Sequence, residues 1–593
     1  MSFHMTLSKR GLLVLFVLMT ATLSHAQLFD SIPYSGPSGV VAEVGTIAEL
    51  KALPSRPAIV RTIGYHAVSD GAGGPLWKWS AGNSTPPDEC AVVTPSTGPA
   101  GRWVREFKGE IRADECGATI NDRQFDSQPA MQAAIDYLQR HGGGTVKLLG
   151  GRYFTKSTLL ISRQGITIEG TYGTTTIEAM FGNADVVRFY HPDRFLGGAI
   201  KNVRIVYAGG RATAGAAVTF DNVGDVFAQY VTWSGTFNGI VWAGDNRNCR
   251  AFSSGGGDNI NAAYLISGGG NQHISLGASF LNEKAARQVT VKITETLRAD
   301  LDFTTSSLHN IGLEIVPRTG AQISNVWVNF GDWDASESHA VVIDPANERT
   351  VVRNIQLKGG SLSASGVGRG LWIKSGAGQV GDVVLSDLMI NSNGLQGALI
   401  EKGRVFFNNV HVVRNGFRNG DAGVELTSGV ELFQMMGGKI GATLGGPDAS
   451  IRPMAWENSQ RLALKIEKGF KGYAMLAGVD LTENREGPID NRGYGKLKVF
   501  NSRGYKNIAE GVATIAKGSN VVTVDPGGLA EPITAEIPIQ LTALGNPSQV
   551  GAQSVFRGAT TATTFEIAVS PAVKLTGDLK VGWRITHSSA LPD

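Results

Sequence analysis

Short apolar runs recur down the middle of the chain, and polar stretches rich in Gly, Asn and Asp separate them. The runs open as GAAV at Gly215, GIVW at Gly239, AAYL at Ala262, QVTV at Gln288, GLEI at Gly312, AVVI at Ala340, GLWI at Gly370, GALI at Gly397 and GVEL at Gly423. Their spacings are 24, 23, 26, 24, 28, 30, 27 and 26 residues. A period in the twenties with no second helical segment marks a stacked solenoid, and strand-like openings select a parallel β-helix over a leucine-rich repeat. The expected fold is all-β, a right-handed single-stranded parallel β-helix. Two steps, 312 to 340 and 340 to 370, exceed the rest. Insertions in solenoids fall on one face, often the binding face. The segment GDWDASESH (331–339) therefore reads as an inserted loop.

Other patterns flank this core. In residues 127–141, Ser127 can cap a helix that tolerates Pro129 in its first turn, sets Met131, Ile135 and Leu138 on one face, and ends at Gly142. Such a helix can close the open end of a solenoid. Residues 27–110, with alternating runs between Gly/Asp turns, read as a small β-rich head. The β-helix spans 111–507, with 441–507 read as worn final rungs or a neck. From Ile508 to Asp593, short alternating runs read as a β-sandwich.

Composition narrows the setting. A chain of 593 residues exceeds one ordinary core. Residues 1–26 combine Lys9 and Arg10, an apolar core at 12–23 and Ser24-His25-Ala26, which reads as a secretory signal peptide cut before Gln27. The expected location is secreted or periplasmic. No later stretch can span a membrane, so no membrane partner is expected after cleavage. The net charge of +3 becomes 3 − 2 = +1 without Lys9 and Arg10, and there are no basic runs, so nucleic acid is not an expected partner. Cys90, Cys116 and Cys249 lack metal-ligand spacing, and no metal or cofactor is expected. Cys90 and Cys116 are a possible bridge; Cys249 reads as a buried hydrophobe.

Three segments carry a resemblance. GYHAVSDGAGGPLWKW (64–79) and GRWVR (101–105) resemble a module that precedes the β-helix in many bacteriophage tailspikes and capsule depolymerases. ECGATINDRQFDSQPAMQAAIDYLQRHGGGTVKLLGGRYF (115–154) resembles the start of pectate-lyase-like β-helices, though it lacks the GDG element and has Leu149-Gly150 where Pro-rich residues are usual. VATIAKGSNVVTV, TTFEIAV and LKVGWRI resemble a C-terminal tailspike module that promotes trimerisation. With the leader, the chain is similar to secreted tailspike-like glycosidases that modify exopolysaccharides of the amylovoran or stewartan type. The resemblance implies a homotrimer acting on a polysaccharide.

Candidate chemistry lies in the segment before each opening. Read as one corner of successive rungs, it stacks Asn282 and Glu283, then Asp300 and Asp302, then Asp332, Asp334 and Glu337, then residues 363–369, then Asn391 and Asn393. Stacked like charges cost stability unless they face solvent, bind a cation or share protons. A solvated edge explains any single Asp, but the crowding beside Trp333 and Trp327 points to a sugar site, with acids for the bond and flat faces for the ring. Glycosidases need two carboxyls about 5 to 5.5 Å apart for retention or about 6.5 to 9.5 Å for inversion. Asp332, Asp334 and Glu337 rank first as catalytic residues, then Asp302, then Glu283. Trp333, Trp327 and His339 are substrate-binding candidates, although Trp327 reads equally as core and His339 as a turn residue. Glu401 and Glu425 fall within rung bodies and read as structural or solvent-facing. A site between subunits is also open. A polysaccharide lyase is the alternative enzyme, drawing a base from Lys284, Arg298, His309 or His339. The non-enzymatic alternative is a trimeric carbohydrate-binding protein.

Overall fold

The computed structural model describes residues 41–586, apart from short stretches of which 283–288, 442–459 and 545–554 are the longest. The repeat becomes a 30-stranded sheet wound on itself, joined in the first coils by a separate five-stranded parallel sheet from Gly151–Thr155 to Gly255–Gly257, and strands pair in parallel with their counterparts one coil away. Leu313 lies opposite Val341, Val341 opposite Leu371, Leu371 opposite Ala398, and Ala398 opposite Val424. From Gly312 onward the openings therefore stack residue for residue. Earlier ones are slightly out of step: Asn238 lies opposite Ala262, and Ala262 opposite Val289.

Each central coil has three strands. In one coil these are Ile311–Ile315, Gln322–Asn329 and Asp332–Ser336. This corrects the expectation of an inserted loop at 331–339. Asp332–Ser336 pairs with Thr305–Ser307 on one side and with Ser361–Ala364 on the other. A segment running parallel between two others satisfies its backbone N–H and C=O groups by joining the ladder, so the extra residues are absorbed as strand. The stretch 441–507 likewise contains regular coils: Val424 faces Leu464, and Leu464 faces Ile489.

Alternation along the strands sends one set of side chains inward. Phe189, Phe220, Trp242 and Tyr264 are fully buried and stack along the axis with ring centroids 5.4, 6.1 and 6.1 Å apart. Burying each such side chain contributes about 1.5 to 3 kcal/mol. The chain leaves the second strand of many coils through one left-handed residue. Asn202, Tyr230, Ser253, Gly359, Asp387, Asn409, Gly437, Gly478 and Asn501 all have positive φ at this corner. Gly and Asn adopt that conformation at little cost, whereas a bulky side chain does not.

The capping helix spans Gln128–Arg140, with Met131, Ile135 and Leu138 fully buried. Ser127 sits at its N-cap position but does not cap it. Its hydroxyl accepts from Thr119 N at 3.1 Å and donates to Thr119 O at 3.0 Å, and Asp126 accepts the Gln128 amide instead. The head is a five-stranded sheet between Ala42 and Arg105, and a Cys90–Cys116 disulfide ties it to the segment before the helix. Cys249 is buried and unpaired with another cysteine. After Ile508 two three-stranded antiparallel sheets enclose Ile515, Phe565, Ile567 and Val581. Among the described residues, no helix is long and apolar enough to cross a membrane.

Candidate functional site

Asp302 ends a second strand, Ala299–Asp302, and is exposed. Asn329 occupies the same position one coil on and donates its side-chain amide to Asp302 Oδ1 at 2.6 Å. Asp300, two residues earlier on the same outward face, lies opposite Trp327. The Arg298 guanidinium sits 4.7 Å from the Trp327 ring centre, and its Nε donates to Asp300 at 3.2 Å. Trp327 is thus outward-facing and half-buried, not a core residue.

The chain turns after Asn329, and Asp332 opens the third strand. Asp332 lies opposite Thr305 and Ser361, Trp333 opposite Ser306 and Leu362, and Asp334 opposite Ser307. The single corner column expected from the sequence is therefore two columns on adjoining faces. Asp302 belongs to the second ladder; Asp332 and Asp334 belong to the third, which starts just past the Asn329 that Asp302 binds. A coil with three strands separates what a two-part rung would superpose. On the preceding coil the third ladder places Thr305 and Ser307 opposite the two aspartates, and on the following coil Ser361 lies opposite Asp332. Glu283 and Glu337 lie outside the described residues.

His339 opens the next first strand, beyond the third face. Its ring lies 5.0 Å from that of Trp372, and its Nδ1 accepts the Arg369 backbone N–H at 3.1 Å. Burial above all, then the charges of Arg369 and Lys374, push its pKa down to about 4. The ring is neutral at pH 7 and carries its proton on Nε2. Trp372, flanked by Arg369 at 4.8 Å and Lys374 at 4.6 Å, donates Nε1–H to Glu401 at 3.3 Å. Arg369 donates to Gln396 at 2.9 Å, Gln396 to Glu425 at 2.6 Å, and Lys465 pairs with Glu425 at 3.1 Å. Trp372 and Arg369 did not stand out in the sequence. The available signal was the third residue of GLWI, which alternation turns outward between Leu371 and Ile373.

Nearer the capped end, burial raises the pKa of Asp185, even though Thr219, Arg188 and the Ala216 amide favour its charged form. Arg188 also binds Asp221 at 2.5 Å. Among the described residues, no three His, Cys, Asp or Glu side chains are grouped to hold a metal ion.

Residues 43–108 match the family model described as the phage tail protein small four-stranded beta-sheet domain. Over 73% of this chain and 75% of the other, the structure is similar to tailspike protein 3 of bacteriophage CBA120, with a TM-score of 0.50 and 13% identity. The chain has a tailspike-like parallel β-helix fold. A further similar structure is tailspike gp49 of Acinetobacter baumannii bacteriophage Fri1, described as a capsular polysaccharide depolymerase; identity is 11%, the TM-score is 0.47, and 93% and 98% of the two chains are covered. The Azotobacter vinelandii mannuronan C-5 epimerase AlgE4 A-module is similar over 65% of this chain and 99% of its own, at 16% identity and a TM-score of 0.43. No curated protein matches the sequence.

Proposed function

We propose that this protein is a secreted, homotrimeric glycosidase that cleaves or trims a bacterial exopolysaccharide. The observation that carries the reading is one corner of the β-helix where exposed Asp302, outward-facing Trp327 and the strand bearing Asp332 and Asp334 adjoin on consecutive coils. Acids beside a flat aromatic are what glycoside cleavage requires: one carboxyl to protonate the leaving oxygen, and another to activate water or attack the sugar. Two positions along a strand are roughly 6.7 Å apart and neighbouring coils roughly 4.8 Å apart, so the corner reaches the separations used by either stereochemical course. Glu337 and Glu283 remain candidates in the same role, and Trp333 as a stacking face. The leader supports export, because a bacterium acting on its own polymer works outside the inner membrane.

A lyase would need a base for the sugar C5 proton. His339 is poorly suited, because its Nδ1 already accepts the Arg369 amide and its Nε2 holds the proton. The deciding experiment incubates the purified protein with a panel of exopolysaccharides. New reducing ends without ultraviolet absorbance support the glycosidase. Absorbance from an unsaturated uronate identifies a lyase, and binding without either product identifies a non-catalytic carbohydrate-binding protein.

A further inference from the structure

The left-handed corner between second and third strands is filled mostly by Gly, Asn and Asp, with one residue out of character. Tyr230 holds φ +52° there, where Asn202 precedes it and Ser253 follows it one coil away. A tyrosine in this region is strained, and its side chain gains little from packing, since 41% of it is exposed. Its ring meets that of Tyr172, which is 69% exposed, edge to face at 5.4 Å and 78°. On the adjoining outward positions, half-buried Phe227 and Phe252 pair at 6.2 Å, with Lys201 5.1 Å from the Phe227 ring.

We propose that Tyr172 and Tyr230 form a sugar-stacking subsite that holds the glycan chain along the axis, upstream of the carboxylates. Two features select this occupant. The first is alignment. Ala228, Ala251, Leu276 and Leu301 stack in register, so Asp302, the residue after Leu301, lies three coils on in the column of Gln229, one residue from the Tyr230 corner. That is roughly 14 Å at about 4.8 Å per coil, a span of a few linked pyranoses. The second is area. Two exposed tyrosines offer on the order of 250 Å², against roughly 800 Å² per partner in a stable protein interface. A patch this small suits one or two sugar rings, whose C–H faces stack on aromatic faces while the phenol hydroxyls bond to ring hydroxyls. The ligand class rests on the polysaccharide reading above.

The test uses the full chain in native gels cast with a neutral β-glucan, with a uronate-bearing bacterial exopolysaccharide, or without polymer, alongside reducing-end assays on the same polymers. Tyr172→Ala removes one ring. Tyr230→Asn installs a residue that the corner favours, so melting temperature should hold or rise while binding falls. At least one polymer should retard the wild type, and each variant should be retarded at least fivefold less, with KM raised and kcat unchanged. Retardation of both variants equal to wild type overturns the subsite, as does a wild type retarded by neither polymer. Loss of oligomer mass by light scattering in the variants also overturns it, because the occupant would then be a second copy. Binding without reducing ends would remove the glycosidase and leave the subsite standing. Cleavage with both variants unaffected would do the reverse.

Discussion

Asn329 reaches across one coil to bind Asp302 at 2.6 Å, and three residues later its chain arrives at Asp332. The bond pins the exposed carboxylate at the end of its ladder, on the edge where the third face begins. Among the described residues this amide is the one side-chain donor to Asp302, which leaves its other oxygen available for a ligand.

Substitution at this edge should separate chemistry from folding. Asp302→Asn, Asp332→Asn, Asp334→Asn and Glu337→Gln keep side-chain size but cannot exchange the proton. At a residue acting as acid or base, reducing-end release should fall about 10²-fold or more. Exposed Asp302→Asn should alter stability by only about 0.5 kcal/mol. Trp333→Ala should weaken polymer binding. Full activity in all five variants, measured with melting curves to show that they fold, would move the site elsewhere.

The Glu425 pair should matter to stability. Glu425 is 8% exposed and held by Gln396 and Lys465. Lys465→Met leaves that carboxylate nearly buried without its cation, a loss of about 3 kcal/mol. Adding Glu425→Gln should recover most of it. Urea unfolding of both variants beside the wild type measures the difference, and a Lys465→Met midpoint equal to that of the wild type would show that the pair contributes nothing.

His339 gives an acid-side signature. Its folded pKa of about 4 lies below its ordinary 6.5, so burial favours the neutral ring. That contribution is complete above the unfolded value and is lost as pH falls through the folded one. At about 1.4 kcal/mol per unit it amounts to roughly 3 to 4 kcal/mol. Between pH 6.5 and 4 the wild type should lose more stability than His339→Gln, as read by melting temperature. Parallel curves would contradict this.

Asp185 should act in the opposite sense. Its pKa is raised, chiefly by burial, so its contribution is present below the unfolded value and lost as pH rises through the folded one. Asp185→Asn should therefore gain in melting temperature relative to wild type between pH 4 and pH 8. A variant-minus-wild-type difference in melting temperature that falls with rising pH would refute the assignment.

Assembly is tested by truncation. Removing the chain after Asn507 deletes both terminal three-stranded sheets. If these drive trimerisation, light scattering should give a trimer for the full chain and a smaller species for the truncated one. A monomeric full-length protein would refute the proposal.

Sequence alone determined the β-helix. Apolar openings such as GLEI, AVVI and GLWI recur once per coil, and a strip that cannot bury itself must stack on its neighbours. It also marked Met131, Ile135 and Leu138 as the buried stripe of the cap, because helical periodicity is written in adjacent residues. What it could not supply was register. Whether Asp302 stacks on Asp332 depends on how many strands a coil contains and how many residues each turn consumes, and 331–339, polar and longer than the repeat requires, reads as a loop. The closed ladder decided that Asp332–Ser336 is a strand, which put Asp302 beside Asn329 and set Asp332 on the next face. The same closure turned Trp372 toward His339 and held Tyr230 in a left-handed corner. Those relations join residues about 22 to 33 positions apart through contacts between coils, and no local pattern records them.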